Sequence, residues 1–480
     1  MASFFGRVKE LKSLADLRSK NTSSLVCVLG RRRIGKSSLI AHFGEKFPKI
    51  IKIQGLGPEK ASTNQNQLDH FAETLSIQCK TRKEYFTDWT EAFFALSEQV
   101  KKGTNLILLD EISWMGKHDP LFSAKLKDAW DLYLKNNPKN IVVVCGSVSS
   151  WIEENILLNT NFEGRISLTI NLEGLQLSEI NHYWNKNNYN FGTLEKMLAL
   201  SVAGGVPKYL EEILKSKNIE KNIIDLCFTS KGMLFNDFKY IFSDIFDRKK
   251  LGLEKIVRLI VEKKLSTTEI ANKLKKQVDN DLSEKLHILE LSGFTIRDYY
   301  FKPDGTASKL SHIRLKDNYL RFYLKYIEPN KARILTGGKI FERLFDLKNF
   351  ESILGLQFEN VILANRVSLY PLLEISNTSI ISAAPYVQNK TAQQSGCQID
   401  LLIHTELDVF YLCELKCKKL IDNSVIKEVR SKVNAIKLPK RSSVKPVLIY
   451  EGEIYEPHRS DIEEFFYRII SFSNILDSKS

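Results

Sequence analysis

Gly30-Arg31-Arg32-Arg33-Ile34-Gly35-Lys36-Ser37-Ser38 follows directly on the apolar run Leu25-Val26-Cys27-Val28-Leu29. Beyond it, Leu39, Ile40 and Phe43 recur at helical spacing. The pattern is a glycine, four residues, then Gly-Lys-Ser, set between a predicted strand and a predicted helix. That is the context a P-loop requires. Gly30 and Gly35 let the backbone approach a phosphate closely. The N–H groups of the loop, with the helix N-terminus behind them, present positive ends to an anion. Lys36 reaches the β- and γ-phosphates as a point charge, and the Ser37 hydroxyl is placed to ligate Mg²⁺. The stretch Gly30 to Ser38, with Arg31, Arg32, Arg33, Ile34 and Ser38 completing the cradle, therefore reads as a site for ATP and Mg²⁺.

The surrounding 480 residues are enough for two to four domains. Lys and Arg number 70 against 57 Asp and Glu, a net charge of +13, which favours an anionic partner, nucleic acid first. The alternative is a basic, solvated surface. The seven cysteines are scattered, with no Cys-x-x-Cys pair, so neither a zinc site nor a disulfide framework is expected. No signal peptide or long apolar span is read. The expectation is a cytoplasmic protein without a membrane partner.

Outward from the loop, Leu11, Leu14 and Leu17 share a helix face behind a Gly-Arg pair, and Ile50 to Ile53 reads as a strand. Leu106-Ile107-Leu108-Leu109-Asp110-Glu111 is a continuous apolar run ending in two carboxylates. Such a run is a buried parallel strand, and its carboxyl end is where open α/β sheets bind ligands. Asp110 would hold Mg²⁺, through water, and Glu111 would polarise the attacking water. Ile141 to Val144 is another core strand, ending in Cys145-Gly146-Ser147. Ser147 is either a sensor of the γ-phosphate or a turn residue. Arg165, before the strand-like Ile166 to Leu172, either supplies charge to the phosphoryl transition state or sits on the surface. Ala203-Gly204-Gly205-Val206-Pro207 makes a sharp joint before a helix, as expected of a small helical lid.

The set GRRRIGKSS, LILLDE, VVVCGS, FEGRI and GGVPKYL resembles the archaeal-type P-loop ATPases of the signal-transducing, AAA+-like branch, over roughly residues 1–235. The resemblance implies ATP binding and hydrolysis. It gives Lys36 and Ser37 the phosphate and Mg²⁺ roles, Asp110 and Glu111 the acidic pair, Ser147 the sensor and Arg165 the finger-like arginine. An arginine acting in a neighbouring subunit would imply a homo-oligomer.

Downstream, Leu251 to Val261 is helical, and Ser266-Thr267-Thr268-Glu269 is a capped helix start. Leu282 to Leu291 is a second helix stopped by Gly293. Phe294 to Phe301, a Pro303-Asp304-Gly305 turn and His312 to Leu315 complete the order of a winged helix. Lys285 and His287 stand against Glu284 and Glu290 on the second helix, a poor match to DNA, so an interdomain role competes with DNA binding. Tyr319, Phe322, Tyr323 and Tyr326 form a packing stripe that Glu328-Pro329-Asn330 would end. Residues 330–348 are expected to be a basic helical connector.

At the C-terminal end, Gly355 to Leu363 is a helix carrying Glu359. Ile399 to Ile403 is a strand carrying Asp400, and the strand Val409 to Lys416 ends in Glu414-Leu415-Lys416. Strand alternation puts Glu414 and Lys416 on one face. A hairpin would bring Asp400 beside them. Two carboxylates, Asp400 and Glu414, would then bind a divalent metal, with Lys416 orienting a water or stabilising a pentavalent phosphate and Glu359 as a further acid. This arrangement resembles the PD-(D/E)xK nuclease fold, over about residues 350–455. Residues 411–445 hold ten basic and three acidic side chains, net +7, which suits a phosphodiester backbone, DNA first.

The fold expected is α/β throughout. A P-loop parallel-sheet ATPase core spans 1–175, a helical lid 176–245 and a winged-helix module 246–330. A nuclease-like α/β domain with its connector spans 331–480. Two functions compete, an ATPase coupled to metal-dependent DNA cleavage and an ATP-driven switch whose C-terminal domain only docks a partner. A third reading is a transcriptional regulator acting through the winged helix.

Overall fold

The computed structural model describes residues 4–57, 62–147, 150–214, 218–243, 250–302, 304–337, 341–392 and 394–478. The chain folds as two compact units. The first comprises residues 1–174 with 240–250 and 291–293, and the second comprises 175–239, 251–290 and 294–480.

The first unit is built on a parallel sheet of β1 (Ser24–Leu29), β2 (Lys49–Gln54), β3 (Asn105–Asp110), β4 (Asn140–Gly146) and β5 (Ile166–Asn171), in the order β2-β3-β4-β1-β5. The three central strands are buried at every residue, which is why they read as unbroken apolar runs. The edge strands β2 and β5 carry alternating exposed residues instead. The register sets the carboxyl ends side by side. Leu29 pairs with Gly146, Val144 with Leu109, and Gln54 with Asp110. One face of the sheet packs on an aromatic cluster in which Trp89 meets Phe71 and Phe122 edge to face, with centroids 5.5 and 4.9 Å apart.

The second unit opens with the helices Leu177–Lys186, Thr193–Ala203, Pro207–Ile213 and Ile219–Cys227 and with the first part, to residue 239, of helix Met233–Ser243. Pro207 stands in the first turn, where its missing N–H costs nothing. Helices Lys250–Leu259, Thr267–Lys273 and Asn280–Leu291 come next. A hairpin of β6 (Thr295–Phe301) and β7 (Ala307–Leu315) follows them. Ser266 and Glu269 form the predicted capping box, with Ser266 N donating to Glu269 Oε2 at 2.7 Å. Gly293 takes φ +73° just beyond the last helix. The return strand is longer than predicted, and Pro303 of the predicted turn lies outside the described residues.

Glu328–Asn330 does not end the aromatic helix. It forms a 3₁₀ turn that continues into Lys331–Leu335, because Pro329 occupies the start of that turn, where a proline fits. The predicted helical connector is otherwise mostly irregular, with only the short turn Leu344–Asp346, and 338–340 lie outside the described residues.

Helix Phe350–Ala364 then leads to a mixed sheet of β8 (Ile380–Gln388), β9 (Cys397–Thr405), β10 (Val409–Ile421), β11 (Ser443–Ile454) and β12 (Arg468–Ser471). Its order is β12-β11-β10-β9-β8. The β8, β9 and β10 pairings are antiparallel, and β10, β11 and β12 run parallel. Helix Ser424–Ala435 makes the crossover between β10 and β11.

Buried polar contacts bind this unit together. Arg321 donates to the carbonyls of Val261 and Leu315 at 3.0 and 2.8 Å and to Gln357 Oε1 at 2.6 Å. Gln357 Nε2 donates onward to the carbonyls of Ser201 and Asn318 at 2.9 and 2.8 Å. Burial, with Arg314 nearby, lowers the Arg321 guanidinium to about 10. The aromatic stripe is packing, as expected: Tyr323 stacks on Phe238 with centroids 4.1 Å apart.

Candidate functional site: a phosphate loop and an acidic cleft

The loop after β1 takes the backbone that its glycines predict. Gly30 has φ +153°, Arg33 +66° and Gly35 +93°. A Cβ on Gly30 would stand 2.6 Å from the Leu172 carbonyl oxygen, so no other residue fits there without movement. Helix Lys36–Gly44 begins on Gly35 with no side-chain cap, so no side chain of the N-cap competes for its first N–H groups. The Lys36 ammonium is buried and donates to the carbonyls of Gly30 and Arg31 at 2.9 and 3.2 Å.

The sheet order brings the other predicted groups to this end. The Ser37 hydroxyl donates to Asp110 Oδ2 at 2.7 Å, although β4 lies between their strands. Asp110 is 2% exposed, accepts the Glu111 N–H at 3.1 Å and has Lys52 Nζ at 4.0 Å. Glu111 holds φ +51°, a left-handed conformation uncommon for a side chain of its size. Ser147 follows the last residue of β4, level with Leu29. Its hydroxyl is buried with no hydrogen-bond partner among the described residues. Such a group is costly unless something else satisfies it.

Arg7 is a loop contact not foreseen in detail. It occupies a left-handed position before helix Val8–Ser19 and donates from Nη2 to the Ile34 carbonyl at 2.9 Å. The Gly-Arg pair was the signal in the sequence.

The geometry does not bring Arg165 to the loop of its own chain. Ile166 starts β5 and pairs with Leu25, whereas the loop follows Leu29. In a parallel sheet a residue preceding a strand lies at the opposite end of the sheet from one that follows a strand. Arg165 instead holds Asp131 through Nε at 2.9 Å and Nη2 at 2.8 Å. That contact brings the Asp131 carboxyl down to about 2.

In the second unit, Glu359, Asp400, Glu414 and Lys416 line one cleft of about 710 Å³. The β9–β10 pairing, with Cys413 opposite Leu401, brings Asp400 beside the Glu-Leu-Lys end of β10. Asp400 Oδ2 accepts the Leu415 N–H at 2.9 Å. Glu414 is 1% exposed, and its oxygens lie 2.7 Å from Lys416 Nζ and 2.6 Å from Lys432 Nζ. Both lysines also reach Glu428, at 2.8 and 3.2 Å.

Burial, then repulsion from Glu359, raises the Asp400 carboxyl; burial, then Asp400, raises Glu414. Burial works against the charged lysines, yet Glu414 holds both above their ordinary range. Burial also opposes ionisation of Glu428, but its bond to Lys416 brings it to about 2. Glu428 was not singled out from the sequence, and Lys432 was read only as one of the basic side chains of 411–445. Their signal was a spacing of four on the helix that follows Glu-Leu-Lys.

Residues 4–213 match the family model of an ATPase domain found predominantly in Archaea. This region is similar to an archaeal-type P-loop ATPase. An uncharacterized protein of Methanocaldococcus jannaschii is 25% identical over 448 residues, covering 91% of this chain and 92% of the relative, so that the match reaches into both units. Among solved structures, the Walker-type ATPase of Pyrococcus abyssi is 16% identical with a TM-score of 0.50, covering 67% of this chain and 96% of that one. That likeness concerns the fold. The ORC2 protein of Aeropyrum pernix, in complexes with ADPNP and ADP, is 13% identical with a TM-score of 0.45, over 70% and 98% of the two chains. Among the described residues, no helix is long and apolar enough to cross a membrane.

Proposed function

We propose that this chain is an ATP-hydrolysing P-loop ATPase coupled to a metal-dependent nuclease site in its second unit. The observation that carries the nuclease half is the meeting of Glu359, Asp400, Glu414 and Lys416 in one cleft.

In the first unit, the Ser37 hydroxyl and the Asp110 carboxylate are hard oxygen donors 2.7 Å apart, a pair that suits Mg²⁺. When bound, the ion would neutralise charge on the β- and γ-phosphates. The loop N–H groups cradle the phosphates, and Lys36 moves from the Gly30 and Arg31 carbonyls onto phosphate oxygens. Glu111 accepts a proton from water as the water oxygen bonds to the γ-phosphorus. The bond from that phosphorus to the bridging oxygen breaks, and ADP leaves with the electron pair. Ser147, its hydroxyl otherwise unsatisfied among the described residues, donates to the γ-phosphate.

In the second unit, no group of three His, Cys, Asp or Glu side chains among the described residues forms a metal cage. Asp400 and Glu414 together suit an ion of the Mg²⁺ type, which is commonly held by one or two carboxylates plus water and substrate phosphate. Their raised affinity for protons reflects burial first, then Glu359 acting on Asp400 and Asp400 acting on Glu414, a concentration of carboxylates that a divalent cation offsets. When bound, the ion would act as a Lewis acid toward the scissile phosphate. Lys416, held beside Glu414, positions a water and stabilises charge on the phosphorane. Lys432 shares the work of balancing Glu414. The three helices and hairpin between 250 and 315 are read as a winged-helix module. DNA is the substrate class favoured by the net charge of +13.

The test is cleavage of labelled DNA with Mg²⁺ or Mn²⁺. Glu414→Ala is expected to abolish cleavage and leave ATP turnover within about twofold. Retained cleavage in that variant sinks the nuclease assignment.

A further inference from the structure

A second cavity of the same size, about 710 Å³, lies in the second unit and shares Glu262 with the acidic cleft as a wall. Its wall carries five cations, Arg258, Lys263, Lys273, Lys325 and Lys348, against the single carboxylate of Glu262. Two of the five are balanced locally. Arg258 pairs with Glu328 and Lys325 with Glu262. Lys263, Lys273 and Lys348 are exposed and have no ion-pair partner among the described residues. These three come from the loop after helix Lys250–Leu259, the end of helix Thr267–Lys273 and the residue before Asn349. Three ammonium groups from separate segments, none in a close ion pair among the described residues and only Lys263 within the field of a further carboxylate, Glu269, converge on one hollow, next to a cleft lined by Glu359, Asp400 and Glu414.

We infer that the basic cavity is a binding site for the phosphodiester backbone of a single nucleic-acid strand, which it leads past Glu262 into the acidic cleft. The inference rests on the reading of that cleft as a phosphodiester-cleaving site. An acidic cleft repels a polyanion, so a strand that enters it needs cations at the entrance. The volume lies in the range of small-molecule pockets, roughly 300–1,000 Å³. It suits a few nucleotides of one strand and not a duplex. The paired cations, Arg258 and Lys325, keep the wall in place, and the three unpaired lysines are the ones that meet phosphate. This site is separate from the lysine-rich stretch of 411–445, of which only Lys416 and Lys432 reach the acidic cleft.

The test uses the full-length chain carrying Glu414→Ala, so that substrate is not consumed, and a fluorescent single-stranded DNA oligonucleotide titrated at several salt concentrations. Lys263→Ala, Lys273→Ala and Lys348→Ala together are expected to weaken binding roughly tenfold or more at about 0.1 M salt. The slope of log K against log salt should fall by about 2, at ~0.7 for each phosphate contact on a single strand. Arginine at the same three positions is expected to restore both, which separates a lost charge from a damaged fold. Alanine at Lys9, Lys12 and Lys46, exposed lysines of the first unit, is expected to change neither.

Binding within twofold of the parent with an unchanged slope overturns the inference. So does an equal loss from the Lys9, Lys12 and Lys46 set, or a polyglutamate peptide that binds as tightly as the oligonucleotide. Cleavage is measured apart, on the chain with Glu414 intact. A chain that cleaves nothing yet loses binding in the lysine variant removes the nuclease reading and keeps the strand site. A chain that cleaves while the lysine variant binds normally removes the strand site alone.

Discussion

Ser147 and Lys36 separate two kinds of residue at the phosphate loop. Lys36 satisfies loop carbonyls and is buried, so Lys36→Ala removes charge and packing together. ATP turnover in Lys36→Ala is expected to fall at least roughly 100-fold, read as phosphate release. Ser147 differs, because its hydroxyl satisfies nothing among the described residues. Ser147→Ala is therefore expected to leave the melting temperature unchanged or slightly higher, while kcat falls roughly 10–100-fold. A fall in melting temperature with normal turnover would make Ser147 a turn residue. The loop itself was legible because phosphate chemistry constrains adjacent residues: glycines, lysine and serine must fall at fixed spacing. Lys432 was legible as one of the basic side chains of 411–445, but its pairing with Glu414 was not. Its partner Glu414 lies eighteen positions away on a different element, and only the crossover helix brings them to 2.6 Å.

At the scale of elements, burial on both faces made β1, β3 and β4 readable as apolar runs, and strand alternation placed Glu414 and Lys416 on one face. For Arg165 the sequence left open whether the side chain reaches the loop of its own chain. Strand direction in a parallel sheet decides that question, and Arg165 stands at the wrong end. Its bond to Asp131 has a consequence in pH. A carboxyl at about 2, against its ordinary 3.8, favours the folded state above about pH 4 and loses that advantage as pH falls through 2. Arg165→Ala is expected to lower the urea midpoint slightly at pH 7, with the difference from the parent shrinking between pH 4 and 2. A difference independent of pH would contradict the pairing.

The polar contacts around helix Phe350–Ala364 left no periodic signal, because Gln357 meets Arg321, Asn318 and Ser201 from distant parts of the chain. Gln357→Leu leaves the buried Arg321 short of an acceptor and two carbonyls short of a donor. The expected cost is roughly 2–4 kcal/mol in urea unfolding of the second unit. A cost below about 0.5 kcal/mol, the range of surface substitutions, would contradict this account.

For the whole molecule, the chemistry is divided between two compact units, with phosphate-binding groups in one and the acidic cleft in the other. Under the proposed function the first unit acts on the phosphoanhydride of ATP and the second on the phosphodiester of nucleic acid. Coupling between them is a property of the full chain, so it is measured there. The decisive measurement is cleavage of labelled single- and double-stranded DNA by the full chain with Mg²⁺ or Mn²⁺, with and without ATP. The parent is compared with Glu414→Ala and Lys36→Ala. The account predicts metal-dependent cleavage that Glu414→Ala abolishes and that in Lys36→Ala no longer responds to ATP. ATP hydrolysis with no cleavage by the parent under any condition would contradict it, leaving an ATPase whose second unit only docks a partner.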